Sequence, residues 1–233
     1  MRILLTLAFW IVATPIGALI AFPWTLMTGN SGFLYRVGIW IVRGGMRLSG
    51  VRAQIVGRER LDPSTSYVFM ANHVSNLDPP LLVPAIPRRT SVLVKRELFR
   101  IPVLGRAMRL AQLVAVDRSN REAAIASVRA AAEVLRRGLN MTVFPEGTRS
   151  PDGRLLPLKK GPFYLAQEAG APIVPVTILG TEQIWPKGKL FLRRGQATII
   201  FHPPISPPDY PDQRDLIAAV RDAIASGLPP ERR

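Results

Sequence analysis

Two short segments of the chain contain side chains whose chemistries complement each other. In the first, His73 precedes Asp78 by five residues, which supplies a general base and a carboxylate that could orient it. In the second, Glu146 and Arg149 share one short turn with Gly147. A guanidinium can bind phosphate through two parallel hydrogen bonds. Together the segments predict proton transfer beside a site for a hydroxylated phosphate ester.

Each segment also has a simpler interpretation. Asp78 could cap a helix that starts at Pro79, with His73 an ordinary loop residue. The second segment could be a surface turn with a local ion pair. The occurrence of both segments in one chain favours the chemical interpretation over these two.

The sequence around the segments alternates short apolar runs with amphipathic stretches. This alternation predicts an α/β domain with a mixed, largely parallel sheet flanked by helices. His73 follows a run that ends near Met70, and Glu146 follows one that ends at Phe144, so both should lie beyond the carboxyl ends of strands. Strands are predicted at 53–56, 67–70, 92–94, 113–116, 141–144, 173–179 and 197–201, a short helix or turn at 78–86, and helices at 121–137, 163–169 and 213–226.

Composition excludes several kinds of chemistry. The 233 residues include no cysteine, which excludes disulfides, thiolate metal sites and a cysteine nucleophile. Two histidines, His73 and His202, are too few for a multi-histidine metal site, and His202 is expected to be structural. The formal net charge of +15 favours an anionic partner. We expect no nucleic-acid partner, because no helix-turn-helix, zinc-finger or RNA-binding aromatic pattern occurs.

The residues at 72–78 and 144–150 resemble the NH-x4-D and FPEGTRS blocks of the 1-acylglycerol-3-phosphate acyltransferase family. Weaker likenesses at 95–98, 115–118, 155–161 and 173–176 extend the resemblance over 53–201. The resemblance implies transfer of a fatty acyl group from acyl-coenzyme A or acyl-carrier protein to the 2-hydroxyl of 1-acylglycerol 3-phosphate (lysophosphatidic acid). The product would be phosphatidic acid, and no cofactor or metal would be needed.

The resemblance also implies roles for individual residues. His73 would be the base, Asp78 its partner, and Asn72 a brace for their loop. An oxyanion would be stabilised by backbone amides or by a cation such as Lys95. The residues implied in substrate binding are Arg118, Glu146, Gly147, Thr148, Arg149 and Lys95.

Three other functions stay open at this point. The acceptor could be another lysolipid, such as a lyso-aminolipid, because the family blocks are shared among such enzymes. A lipid hydrolase would need a nucleophile, and no G-x-S-x-G motif occurs. A non-catalytic membrane protein would have no use for both His73 and Asp78.

The first 50 residues predict membrane attachment. Residues 3–27 carry no charged side chain, and a helix of that length would just cross a bilayer core. A cleaved signal peptide, a single span and a helix within one leaflet all remain possible. Residues 32–51 predict a second helix whose basic stripe suits anionic lipid headgroups. That stripe contains Arg36, Arg43 and Arg47.

Positive charge after the apolar run places the catalytic domain on the cytoplasmic side of the cell (inner) membrane. We therefore predict three parts: membrane-associating helices in 1–50, an acyltransferase domain in 51–227 and a frayed tail in 228–233.

Overall fold

The computed structural model describes residues 2–102, 104–116, 121–186 and 192–233. The helices are α1 (Arg2–Thr28), α2 (Ser31–Ser49), α3 (Asp78–Ala85), α4 (Leu104–Leu110), α5 (Arg121–Arg136), α6 (Gly161–Ala169), α7 (Thr181–Ile184) and α8 (Gln213–Ser226). The strands are β1 (Val51–Val56), β2 (Val68–Ala71), β3 (Thr90–Lys95), β4 (Val114–Val116), β5 (Asn140–Val143), β6 (Ile173–Leu179) and β7 (Gly195–Phe201).

Within the described ranges the strands form one sheet in the order β1-β7-β6-β2-β5-β3-β4. The five strands from β6 to β4 are parallel, and β7 runs antiparallel to β6 with β1 parallel to β7. The central strands β2 and β5 are buried along their whole length, as expected for a sheet covered on both faces. The predicted mixed, largely parallel sheet is confirmed.

Two apolar cores cover the faces of this sheet. One contains Phe69 and Phe201 from the strands, together with residues of α2, α3 and α7. The other contains Met70 and Met141 from the strands, together with residues of α5, α6 and α8. The sheet therefore separates α2, α3 and α7 on one side from α5, α6 and α8 on the other.

The two N-terminal helices form an antiparallel hairpin joined by Gly29 and Asn30. The Asn30 side chain accepts a hydrogen bond from the Gly32 amide and begins α2. Near the other end of the hairpin, a side chain at Gly44 or Gly45 would collide with Phe9 or Trp10, so glycine permits the close helix contact. Helix α2 packs against α3 and β1, and α1 packs mainly on α2.

The predicted element order is confirmed, with boundaries that move by at most two residues. Two short helices, α4 and α7, were not predicted. The expected frayed tail is wrong, because Leu228 is buried and Arg232 forms an ion pair of 2.6 Å with Glu182. The Arg232 carbonyl also accepts a hydrogen bond from the Leu155 amide at 2.9 Å. The tail is thus attached to the catalytic body by both side chain and backbone.

Candidate active site

His73 and Asp78 lie in the loop between β2 and α3. The Nδ1 atom of His73 is 2.7 Å from Oδ2 of Asp78, and the same oxygen accepts the backbone amides of Val74 at 2.7 Å and Ser75 at 2.8 Å. Asp78 is fully buried. An ionised carboxylate can only accept, so Nδ1 must carry the proton in this contact. The arrangement leaves the lone pair of a neutral imidazole on Nε2.

Thr181 completes the environment of the carboxylate. Its hydroxyl donates to Oδ1 of Asp78 at 2.5 Å, and its side chain is fully buried in the first turn of α7. With this bond each oxygen of Asp78 has a donor, which stabilises the buried charge. Sequence reasoning missed Thr181, since it lies more than 100 residues from Asp78 and belongs to neither motif.

The segment from the end of β6 into α7 also fixes the loop before Asp78. The Asn72 amide donates to the Ile178 carbonyl at 3.0 Å and accepts from the Ile178 amide at 2.7 Å. The Ser75 hydroxyl donates to the Trp185 carbonyl at 2.9 Å. The structure thus gives Asn72 the bracing contacts that were predicted for it.

The imidazole of His73 is stacked on the ring of Phe144. Their centroids are 4.2 Å apart and their planes differ by 29°. The His73 side chain keeps 18% of its exposure, whereas its partner Asp78 keeps none. The ring is therefore fixed on one edge by Asp78 and on one face by Phe144, and it remains accessible.

Glu146 lies inside the protein, with only 2% of its surface exposed. Its Oε1 accepts the backbone amide of His73 at 2.6 Å, and its Oε2 accepts that of Leu156 at 2.9 Å. Burial raises the pKa of the Glu146 carboxyl to about 7; the Asp78 charge adds to the shift, and both backbone hydrogen bonds and Arg221 oppose it. Glu146 thus connects the two motif loops, and its predicted contact with the substrate stays a prediction.

The turn after Glu146 lies against the His73 loop. Gly147 has a φ of 75°, and its amide donates to the Phe144 carbonyl at 3.0 Å, closing the turn. The Ser150 amide then donates to the His73 carbonyl at 2.8 Å. The two motifs therefore form one structural unit, as expected for two loops that both lie beyond the carboxyl ends of strands.

The other predicted contacts lie at or near this edge of the sheet. Thr148 is exposed and Arg149 half-buried, both in the turn beside His73. Lys95 ends β3, two strands from β2, and its Nζ is 3.6 Å from Oε1 of Glu97. Two strand spacings correspond to about 10 Å. Arg118 lies outside the described residues.

His202 takes no part in this site. Its Nε2 is 2.8 Å from the Thr177 hydroxyl, which itself donates to the Ile224 carbonyl at 2.7 Å. Nε2 must therefore be the donor, and burial, with the nearby Arg60 charge adding to it, lowers the pKa of His202 and favours the neutral imidazole. His202 thus links β6, α8 and the end of β7, which agrees with its predicted structural role. In the described ranges no three His, Cys, Asp or Glu residues are grouped so that they could bind a metal ion.

Comparison with known proteins agrees with this geometry. The model of the Acyltransferase family matches residues 52–179, which include both motifs. The chain is 35% identical to the 1-acyl-sn-glycerol-3-phosphate acyltransferase of Limnanthes alba, over 91% of this chain and 75% of that protein. It is 33% identical to the alpha enzyme of that name from Homo sapiens, over 73% of this chain and 62% of that protein.

A solved structure extends the similarity to the whole fold. The 1-acyl-sn-glycerophosphate (LPA) acyltransferase PlsC of Thermotoga maritima superimposes with a TM-score of 0.80. That alignment has 28% sequence identity and covers 97% of this chain and 96% of the other. It therefore includes the N-terminal helices as well as the sheet.

Proposed function

Because this chain belongs to the Acyltransferase family, we propose that it acylates the 2-hydroxyl of 1-acylglycerol 3-phosphate. The acyl donor would be acyl-coenzyme A or acyl-carrier protein, and the product phosphatidic acid. The observation that carries the proposal is the buried Asp78, whose contact with Nδ1 leaves Nε2 of His73 free to accept a proton. The names of the relatives support the choice of acceptor.

In the proposed reaction, Nε2 of His73 removes the proton from the acceptor hydroxyl as its oxygen attacks the thioester carbonyl. A carbon–oxygen bond forms, the carbon–sulfur bond breaks, and the imidazolium returns the proton to the leaving thiolate. Asp78 stabilises the imidazolium between these steps. The thioester is already activated, so the protein needs to supply only the base and a stabilised oxyanion. Backbone amides or Lys95 would provide that stabilisation.

The acceptor phosphate is assigned to Arg149, in the second motif segment, and to Arg118, in the weaker likeness at 115–118. Arg149 follows Gly147 and Thr148 in the turn that contacts the His73 loop, which supports a phosphate near the base. Arg118 is included on the resemblance alone. A guanidinium would donate two parallel hydrogen bonds to the phosphate and so fix the position of the acceptor relative to His73.

The N-terminal hairpin is proposed to lie within one leaflet of the cell (inner) membrane, with the catalytic domain on the cytoplasmic side. Residues Leu4–Thr28 form a helix long and apolar enough to cross a membrane. However, α1 packs on α2, which in turn packs on the catalytic body, and Arg36, Arg43 and Arg47 are exposed along α2. These arginines suit anionic headgroups and would be costly inside a bilayer.

Acceptor profiling tests the proposal directly. Purified full-length protein would be given labelled acyl thioesters and a panel of lysolipids in mixed vesicles. We expect the fastest transfer to 1-acylglycerol 3-phosphate, with His73→Ala inactive in the same assay. Preferential acylation of a lyso-aminolipid would keep the mechanism and change the acceptor. Release of free fatty acid without transfer would identify a hydrolase and reject the proposal.

A further inference from the structure

The segment that follows β3 and the first residue of α4 expose three large apolar side chains close together in sequence. Leu98, Ile101 and Leu104 have exposed fractions of 41%, 44% and 45%. Single exposed apolar residues are ordinary, but a group of three within seven residues forms a patch. We call this group, together with the basic residues around it, the rim surface.

Hydrogen bonds hold the backbone at the described residues of the rim surface. The Gly105 amide donates to the Ile101 carbonyl at 2.8 Å, and a side chain at Gly105 would collide with the Phe99 carbonyl. The Arg109 guanidinium also donates to that carbonyl at 3.2 Å. The three apolar side chains are therefore exposed on an ordered backbone.

Charge surrounds the apolar patch. Arg96 and Arg100 are exposed before α4, and Arg106 and Arg109 are exposed on α4 itself. The acid among them, Glu97, lies 3.6 Å from Lys95. Apolar side chains bordered by arginines match the boundary between acyl chains and anionic headgroups.

The rim surface adjoins the apolar helix α1. Helix α4 contacts α1, which exposes large apolar side chains along its length. These include Leu4, Leu7, Ile11, Ile16, Leu19 and Met27. At its other end the rim surface follows Lys95, at the carboxyl edge of the sheet where the His73 loop lies. It therefore adjoins the apolar helix on one side and, on the other, the edge of the sheet that carries the candidate active site.

We propose that the rim surface is a second membrane-contact site, which inserts Leu98, Ile101 and Leu104 into the headgroup region of an anionic bilayer. The contact would bring the carboxyl edge of the sheet to the lipid surface. A role of this contact in the entry of a lysolipid acceptor rests on the proposed function. The membrane contact itself is independent of that function.

Site-specific fluorescence tests the contact, and the absence of native cysteine makes single labels clean. Full-length Ile101→Cys, labelled with an environment-sensitive dye, would be reconstituted in vesicles of phosphatidylcholine and phosphatidylglycerol with or without a lipid-borne quencher. Ile11→Cys in α1, 71% exposed, is the positive control. Ile55→Cys is the matched negative control, since Ile55 is 40% exposed and lies near the end of β1. Because β1 and β7 run antiparallel to β6, the end of β1 lies at the edge of the sheet opposite the carboxyl edge of β3.

We expect a blue shift and strong lipid quenching at Ile101, approaching those at Ile11, with little of either at Ile55. Quenching at Ile101 should increase with the phosphatidylglycerol content. Quenching at Ile101 no greater than at Ile55 would overturn the proposal. A blue shift that depends on protein concentration and ignores the lipid quencher would indicate contact with a second copy, and would also overturn it.

A kinetic comparison separates this inference from the proposed function. Ile101→Glu should lower acyl transfer to a vesicle-bound acceptor but leave transfer to a monomeric short-chain acceptor unchanged. Ile101→Leu, which keeps an apolar side chain, should transfer to the vesicle-bound acceptor at the rate of the unmodified protein. Normal transfer by Ile101→Glu with both acceptors would reject the role in acceptor entry. Lipid quenching at Ile101 in a protein without acyltransfer activity would reject the function and keep the contact.

Discussion

The backbone amide of His73 donates to Oε1 of Glu146 at 2.6 Å, so the two motifs meet through the main chain of the proposed base. The His73 carbonyl accepts from Ser150 on the same loop at 2.8 Å. Both polar backbone groups of His73 are thus satisfied by the segment at 144–150. That segment fixes the position of the base in addition to any contact with the acceptor.

Removal of the proposed base should remove nearly all of the activity. His73→Ala should lower the acyl-transfer rate by roughly 10²–10⁴-fold, the usual contribution of a positioned general base. Asp78→Asn should also lose most activity, because the amide would present a donor to groups that already donate to Asp78. Turnover in vesicles and circular dichroism should be measured together. Near-normal turnover by a folded His73→Ala protein would contradict the proposed mechanism.

The Thr181 hydroxyl should matter although it lies behind Asp78. Thr181→Val removes a hydrogen bond to a charged group, which contributes about 1.5–3 kcal/mol, so kcat should fall about tenfold or more. Thr181→Ser keeps the hydroxyl and should keep the rate close to that of the unmodified protein. Turnover and circular dichroism should be measured for both variants. An unchanged kcat in folded Thr181→Val would contradict a role of this hydroxyl in positioning Asp78.

Glu146 should make stability depend on pH. Its pKa is raised from 4.5 to about 7 in the folded protein. Its contribution to the free energy of unfolding is therefore fully present below about pH 4.5 and is lost as the pH rises through 7. Relative to Glu146→Gln, the unmodified protein should lose up to about 3 kcal/mol between pH 4.5 and 8.

Denaturant unfolding of the full-length protein in detergent, at several pH values, measures this difference. The exposed Glu122→Gln is the control and should follow the unmodified protein. Parallel stability curves for the unmodified protein and Glu146→Gln would contradict the raised pKa.

Arg149 should affect the acceptor more than the donor. A guanidinium–phosphate contact exists in both ground and transition states, so Arg149→Ala should raise the KM for 1-acylglycerol 3-phosphate with little change in that for the acyl thioester. A lysolipid without a phosphomonoester should be less sensitive. Arg154→Ala, on the exposed turn that follows, is the matched control. Equal losses for both acceptors would remove phosphate recognition from Arg149.

Membrane attachment should depend on the apolar helix α1 and should persist at high salt concentration. Full-length protein should remain on anionic vesicles through a high-salt or alkaline wash, because salt screens the arginines but does not weaken apolar insertion. Deletion of residues 1–50 should release the protein or leave it aggregated, since Trp10 and Met46 pack against the catalytic core. Complete release of the full chain by salt would show that α1 is not embedded.

The sequence predicted the sheet and its edge well, because buried strands give short apolar runs and both motifs follow such runs directly. It predicted His73 and Asp78 as a pair, since they lie within one loop. It did not predict the contacts of Thr181 and Glu146 with the His73 loop, because these contacts join segments far apart in sequence. It also failed for the tail, because the ion pair of Arg232 with Glu182 leaves no local pattern.

The pairing of Asn72 with Ile178 makes the position of the catalytic loop depend on hydrogen-bond polarity and not on side-chain shape. The amide presents a donor to one backbone group and an acceptor to the other. Deamidation, which replaces the nitrogen by oxygen and hardly changes the size, would place an acceptor against the Ile178 carbonyl. Chemical ageing at this one buried amide could therefore displace His73 while every apolar contact of the core stayed intact.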